Sequence, residues 1–237
     1  MEESKIKFLN GNALKIIGLI CMVIDHVGYM FFEDCALLRI IGRLSFPIFA
    51  FMIAEGCKYT KNKLRYFLSV FLLALMCQIA VFIFDGSTKI YSLMSLAISI
   101  PIIYLLQVFK KSLFVKNKTK YIYGCLLIFS ILSVCVLNEF IEIDYGFWGT
   151  MLAVFASLFK KEKGKEDNLY LSLAFLGIGL IFLAMSTFVE QYYALLSLPL
   201  LCLYSGKRGN LNLKWFFYLF YPAHFVILEL IYLIICR

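Results

Sequence analysis

The stretch Ala13–Phe32, ALKIIGLICMVIDHVGYMFF, decides the fold because it is an apolar run of membrane length that contains two ionisable side chains. A helix needs about 20 mostly apolar residues to cross a bilayer. Asp25 and His26 lie well inside this run, and a carboxylate near the centre of a membrane helix costs roughly 2.5–3.5 kcal/mol on insertion scales. We therefore expect a membrane helix whose Asp25 has a partner or a function elsewhere in the protein.

The apolar character extends over the whole chain. The 237 residues are 62% hydrophobic and the mean hydropathy is +0.87, whereas a soluble globular chain is about 45–50% apolar. The apolar segments are 13–32, 37–55, 66–84, 90–109, 121–138, 145–159, 169–188, 191–205 and 215–236, of which the sixth and eighth are short for a full crossing. The sequence thus predicts an all-α, polytopic membrane bundle of about nine transmembrane helices. We expect one domain over residues 1–237 and no cleavable signal peptide.

Charge alternates along the loops between these segments. Most of the 23 basic residues fall before the first segment and in every second loop after it, whereas the intervening loops are acidic. Because Lys and Arg collect on the cytoplasmic side, this pattern predicts a cytoplasmic N-terminus and an external C-terminus. The net charge of +8 then reflects topology and attraction to anionic lipid, without nucleic acid as a partner. The eight cysteines include no C-x-x-C pair, so we expect packing residues and no metal site or disulfide.

The second segment, 37–55, supplies candidate partners for Asp25. Arg43 falls level with Asp25 in antiparallel register, whereas Arg39 lies nearer the outer interface and could snorkel. One interpretation is a structural Asp25–Arg43 ion pair, and the other is a reaction centre. Pro47 can kink this helix and free a backbone carbonyl. Glu55, near Lys58, fits an interfacial salt bridge as well as a site role.

Several sequence blocks resemble the TraX family of membrane proteins. They are MVIDHVG (22–28), GRLSFPIFAF (42–51) and FYPAH (220–224), with further likeness at DYGFWG (144–149) and KWFFY (214–218). The namesake of that family is the conjugal-transfer pilin acetylase. The resemblance therefore implies a multi-pass acetyltransferase of the bacterial cytoplasmic membrane, with acetyl-CoA as acyl donor. It leaves open the acceptor (a peptide amine, a glycan hydroxyl or a lipid headgroup) and the oligomeric state.

The resemblance also implies kinship with membrane acyltransferases in which an embedded histidine acts on the acceptor or the acyl group. That role falls on His26 and, second, on His224, the other histidine of the chain. Acyl transfer needs a base and a cation or donors for the developing oxyanion. Histidine suits the first role and Arg43 the second, while Asp25 could orient either. A transient acyl-histidine is the alternative mechanism.

Further candidates would bind the two substrates. The acceptor-binding candidates are Tyr29, Asp144, Tyr145 and Tyr221, of which Asp144 and Tyr145 belong to an acidic loop that could attract an amine. The candidates for the phosphates of coenzyme A are Lys58 and Arg65, in a cluster with Lys61 and Lys63, and beside them Lys160 and Lys161. The positive-inside rule alone also explains these basic residues.

Two other classes of function fit the same residues. A transporter or flippase would use Asp25, Arg43 and Glu229 as a proton or substrate path, because intramembrane ionisable residues commonly serve that purpose. It would not need to bind acetyl-CoA. A non-catalytic partner in assembly of a pilus or surface polymer would instead tolerate replacement of Asp25, His26 and Arg43.

Overall fold

A computed structural model describes residues 7–114, 118–160 and 168–235 of the chain, so Lys161 lies outside the described residues. Within these ranges every regular element is a helix, which confirms the predicted all-α class. The helices are α1 (Gly11–Phe31), α2 (Ala36–Gly42), α3 (Ser45–Tyr59), α4 (Lys63–Asp85), α5 (Ser92–Leu113), α6 (Thr119–Phe140), α7 (Gly146–Ser157), α8 (Leu169–Ser186), a 3₁₀ helix (Val189–Leu196), α9 (Ser197–Cys202) and α10 (Lys214–Ile235).

Seven helical stretches in the described part of the chain are long and apolar enough to cross a bilayer. The sixth predicted segment forms the 12-residue α7, and the eighth forms the 3₁₀ helix and the six-residue α9. At about 1.5 Å per residue, α7 is roughly 18 Å long, well short of a hydrocarbon core of about 30 Å. The described residues thus contain seven full-length candidate spans and two short helical segments, and the count of nine crossings stays a prediction.

The second predicted helix is broken into α2 and α3, although together they make one candidate span, Ala36–Tyr59. The break falls at Arg43 and Leu44. Its cause is Pro47, because a proline ring clashes with the carbonyl of the residue four positions earlier, here Arg43. Pro47 itself is tolerated in the first turn of α3. Arg43 therefore lies at a helix break in the middle of a span.

α3 forms the centre of the bundle, with Ile48, Ala50 and Phe51 fully buried. It packs against α1, α5 and α7. The outer faces of α4, α6 and α10 are apolar and exposed, as expected for surfaces that meet lipid.

The two ends of the bundle differ in charge. At one end, called the basic end here, the start of α1 is tied to the segment before α10 by the Gly11 N–H, which donates to the Lys207 carbonyl at 2.7 Å. Lys63 donates there to Gln107 at 3.0 Å. The opposite end, called the acidic end, gathers the loops that follow α1, α4, α6 and α8. This separation follows the alternation of loop charge, and a cytoplasmic location of the basic end stays a prediction.

Candidate active site

The two histidines of the chain meet between α1 and α10. These helices run side by side in the same direction, since Lys15 Nζ lies 5.6 Å from the Phe217 ring near their starts. Further along, the His26 and His224 rings meet edge to face with centroids 5.1 Å apart. The first and last of the quoted sequence blocks thus form one histidine pair between two candidate membrane helices.

Each histidine has its ring orientation fixed by the turn of helix before it. His26 Nδ1 lies 2.7 Å from the Met22 carbonyl, and His224 Nδ1 lies 3.1 Å from the Phe220 carbonyl. Because a carbonyl oxygen only accepts, Nδ1 must hold the proton of each neutral ring, which leaves the lone pair on Nε2. His224 Nε2 is buried and has no hydrogen-bond partner among the described residues. Both rings are therefore set up to act as bases through Nε2.

Asp25 forms its ion pair with Arg39, so the expected Asp25–Arg43 pair is wrong. Arg39 Nη1 lies 2.9 Å from Asp25 Oδ1 and also donates to the Asp25 carbonyl at 3.2 Å. The reason is the short α2, on which Arg39 and Gly42 share one face. Asp25 packs directly against Gly42, where even a methyl group would overlap its carboxylate. Arg43, just past the end of α2, is directed elsewhere.

Arg43 instead contacts Tyr145, from the loop before α7. Its Nη1 donates to the Tyr145 hydroxyl at 3.3 Å, and the Tyr145 ring stacks on Phe46 at 4.4 Å. Tyr145 has φ of 62°, a left-handed conformation that is uncommon outside glycine and is found at functional sites. Arg43 Nε is buried and has no partner in the part of the chain that the structure describes. The guanidinium thus has spare donors beside a strained tyrosine.

Gln191 is a residue of this region that the sequence reasoning missed. It lies on the 3₁₀ helix, is 3% exposed, and lies beside Tyr145. In the sequence, the eighth segment stands out only because it is short. The signal that could have pointed to the site is Gln191, an amide side chain within this apolar run.

Tyr29 and Asp144 also lie at the acidic end. The Tyr29 ring is exposed, and the Arg39 guanidinium lies 5.4 Å from its centroid. Burial raises the pKa of Asp144 above its usual range, although Lys89 and Arg43 oppose that shift. Lys89 also forms a 2.6 Å ion pair with Glu142. Three of the four predicted acceptor-binding residues, Tyr145 included, therefore share this end.

A cavity of about 680 Å³ opens between α1, α3, α4 and α10 toward the basic end. Its cationic lining residues are Lys15, Arg65 and Arg208. Arg65, one of the two predicted ligands of the coenzyme A phosphates, therefore lines the cavity. Lys58, the other predicted ligand, is buried outside the lining, with Nζ 5.1 Å from the Tyr59 ring. Arg208 was interpreted only as a topology signal. Lys15 belongs to a stripe of small and polar residues on α1 (Lys15, Gly18, Met22, Asp25 and Tyr29, three or four residues apart), and this spacing predicts a face turned to protein or water.

The far end of the cavity reaches toward the histidine pair. Tyr221, the fourth predicted acceptor residue, lines the cavity, and its ring centroid lies 6.2 Å from that of His224. His224 is on the same face of α10 one turn later. His26 and His224 themselves lie beyond the lining, behind this tyrosine.

Glu55, at the cytoplasmic limit predicted for the second segment, is part of a buried cluster. Its carboxylate pairs with Lys160 through one oxygen and accepts from the Tyr204 hydroxyl at 3.0 Å through the other. Lys160 Nζ lies 4.5 Å from the Phe51 ring. The partner is thus a lysine distant in sequence, and the cluster ties α3 to the ends of α7 and α9.

These features define a polytopic helical membrane protein with a histidine pair between two candidate membrane helices and a cavity with a basic lining. The chain belongs to the TraX family, whose model, described as TraX protein, matches residues 10–232. That family is associated with pilin acetylation.

Two curated proteins are similar over short stretches. The uncharacterized protein RP591 of Rickettsia prowazekii is 38% identical over 52 residues, which cover 22% of this chain and 21% of that protein. The probable fimbrial assembly protein FimC, serogroup H1, of Dichelobacter nodosus is 35% identical over 57 residues, which cover 22% of this chain and 23% of that protein. The chain thus spans less than a quarter of the length of these curated relatives. No solved structure matches it significantly.

Proposed function

We propose that this protein is a membrane acetyltransferase that moves an acetyl group from acetyl-CoA, bound from the basic end, to an acceptor at the acidic end. One observation supports this most directly: a single cavity extends from a cationic mouth to a tyrosine that contacts the histidine pair. A transporter path would need no such combination of a phosphate-binding mouth and a paired base.

The lining of the cavity suits coenzyme A. Its volume of about 680 Å³ falls within the roughly 300–1,000 Å³ of ordinary ligand sites. Lys15, Arg65 and Arg208 would hold the phosphates, because guanidinium and ammonium groups are the usual phosphate partners. The deeper walls are apolar and aromatic, as a pantetheine arm and an acetyl group require. When bound, acetyl-CoA supplies an acetyl group activated as a thioester.

The residues beyond the cavity divide the chemistry between them. His26 Nε2 takes the proton from the amine or hydroxyl that bonds to the acetyl carbon, and returns it to the coenzyme A sulfur that leaves when the thioester bond breaks. The His224 ring lies beside His26, with the ring centroids 5.1 Å apart. Arg43 stabilises the negative charge that develops on the acyl oxygen, with its unpartnered Nε as donor. Arg39 neutralises Asp25 and so leaves Arg43 available for that task.

The acceptor would enter from the acidic end, past Tyr29, Asp144 and Tyr145. The association of the family with pilin acetylation and the fimbrial name of the Dichelobacter relative favour a filament subunit as the first acceptor to test. The basic end as donor side agrees with a cytoplasmic supply of acetyl-CoA and supports a location in the bacterial cytoplasmic membrane.

The test is thermal stability of the detergent-purified protein with and without acetyl-CoA. A ligand that binds only the native state stabilises it by about 2.7 kcal/mol at a hundredfold excess over Kd. We expect a concentration-dependent rise of Tm that Arg65→Gln weakens at least tenfold in apparent affinity. Lys120→Gln removes a lysine at the start of α6, away from the cavity, and serves as the matched control.

A second measurement follows label from [¹⁴C]acetyl-CoA into the membrane fraction of cells that express the protein. Transfer by the wild type supports the proposal. No rise of Tm at millimolar acetyl-CoA, together with no label transfer, would reject it in favour of the transporter, and the Asp25–Arg39 pair would then be tested as an ion path.

A further inference from the structure

The end of the cavity nearest the histidine pair is closed by two aromatic rings. Phe49 of α3 and Tyr221 of α10 both line the cavity, and their centroids lie 5.3 Å apart in an edge-to-face contact. Tyr221 in turn contacts His224. A ligand that enters from the basic end therefore meets the Phe49 and Tyr221 rings before it reaches the histidine pair.

The position of Phe49 is determined by its neighbours. On α3 the partly exposed residues Phe49, Ile53 and Gly56 follow at helical spacing, and all three line the cavity. From the other side the Phe49 ring rests on Gly18 of α1. A methyl group at Gly18 would lie 3.1 Å from Phe49 Cζ and 3.3 Å from an Ile48 methyl carbon, so the ring could not keep its place.

The walls around these rings are apolar. Leu73 of α4 and Leu93 and Leu96 of α5 line the same cavity as Phe49. Removal of the Phe49 ring would therefore open apolar space between α1 and α3, of a kind that accepts an alkyl chain. Every methylene added to an acetyl group at this end would otherwise meet the ring.

We propose that Phe49, seated on Gly18, limits the acyl donor to acetyl-CoA and is the residue that sets chain-length specificity. This inference rests on the proposed acyl transfer. It adds a substrate class, short-chain acyl thioesters, and a residue responsible for the selection. One methylene in an apolar pocket is worth roughly 10–200-fold in discrimination, so one ring is enough to exclude longer chains.

The experiment compares acetyl-CoA, butyryl-CoA and hexanoyl-CoA as labelled donors to the membrane fraction. In the wild type we expect acetyl to be used best. In Phe49→Ala the ratio of hexanoyl to acetyl transfer should rise at least tenfold. Phe71→Ala removes a ring of the same size from α4, outside the cavity lining, and should leave that ratio unchanged.

Gly18→Ala provides the opposite change. Its methyl group should press the Phe49 ring into the cavity and lower butyryl transfer more than acetyl transfer. If Phe49→Ala does not fold, Phe49→Leu tests the same point. The measurement is then the rise of Tm that hexanoyl-CoA produces in this variant, compared with the rise that acetyl-CoA produces.

The outcomes separate the two proposals. An unchanged chain-length ratio in folded Phe49 variants that still transfer acetyl overturns the role of Phe49 and leaves the acetyltransferase intact. A wild type that neither binds nor uses any of the three thioesters overturns both.

Discussion

The two ends of this bundle contain ionic side chains that differ in how fully they are hydrogen-bonded. At the basic end the Glu55 carboxylate has Lys160 on one oxygen and Tyr204 on the other, and both ionic side chains are less than a tenth exposed. At the acidic end Arg43 has one 3.3 Å hydrogen bond, to Tyr145, and its buried Nε has no partner among the described residues. A fully satisfied ionic cluster holds helices together, whereas spare donors and lone pairs are available for a ligand.

The same contrast distinguishes the two arginines of the second segment. Arg39 is neutralised by Asp25 and covers the Tyr29 ring, so we assign it a structural role. Arg43 lies at the helix break and its Nε has no partner among the described residues, so the proposed chemistry uses Arg43. Four predictions, described next in order of expected effect, can break or sharpen this comparison.

The largest effect is expected for His26→Ala at the histidine pair. Loss of a general base lowers the rate by about 10²–10⁴. The fold should survive, because the hydrogen bond of His26 joins it to the Met22 carbonyl of its own helix and not to another helix. The measurement is label transfer from [¹⁴C]acetyl-CoA, with acetyl-CoA binding as the control for folding. Undiminished transfer by a folded variant would remove His26 from the mechanism.

Lys160→Met at the basic end should destabilise the protein by about 3–5 kcal/mol, because it leaves the Glu55 carboxylate buried without its cation. The double variant Glu55→Leu, Lys160→Met removes both charges and should recover much of that loss. Thermal unfolding in detergent measures both. A double variant as unstable as the single one would show that the pair itself, and not an orphaned charge, stabilises this end.

Arg43→Gln should lower kcat by about 10²–10³, as expected when an oxyanion donor is removed, and change Tm little. Arg39→Gln should do the reverse, lowering Tm because it leaves Asp25 without its ion pair. Steady-state transfer kinetics and thermal unfolding of both variants make the comparison. Equal kinetic losses in the two would mean that the arginines share one role.

The smallest effect is expected for Asp144→Asn. Burial raises the pKa of Asp144 in the folded protein, so the unfolded chain loses this proton at a lower pH than the native protein does. Wild-type stability should therefore fall as pH rises above about 3.9, the ordinary pKa of Asp. The variant should lack this fall and have the higher Tm at neutral pH, with the difference vanishing in acid. A Tm difference independent of pH would contradict this origin.

Much of the fold could be predicted because the bilayer imposes one-dimensional rules. Segment lengths, apolar runs and the alternation of loop charge are properties of consecutive residues, and they led to helices in all nine segments. The break at Arg43 was also foreshadowed by Pro47. The number of full crossings was harder to predict, because α7 and the 3₁₀–α9 segment lie in apolar runs but form only short helices.

Candidate residues of the site could be selected from the sequence, but their contacts were harder to predict. His26, Arg43 and His224 could be selected because ionisable groups within apolar runs are costly and therefore need a reason. The partner of Asp25 could not be selected between Arg39 and Arg43, which lie one turn apart. Gln191 and Arg208 were missed because an isolated amide and a loop arginine look ordinary until their neighbours are known.

The sequence by itself determined a helical membrane protein, its loop charges and its scarce intramembrane ionisable residues, since these follow from the cost of polar groups in lipid. Only the tertiary structure decided which of those residues meet. The parallel packing of α1 and α10 brings His26 next to His224, and the close contact of Asp25 with Gly42 lets Asp25 pair with Arg39. Such contacts depend on how distant helices pack in three dimensions, and no local pattern of residues encodes that packing.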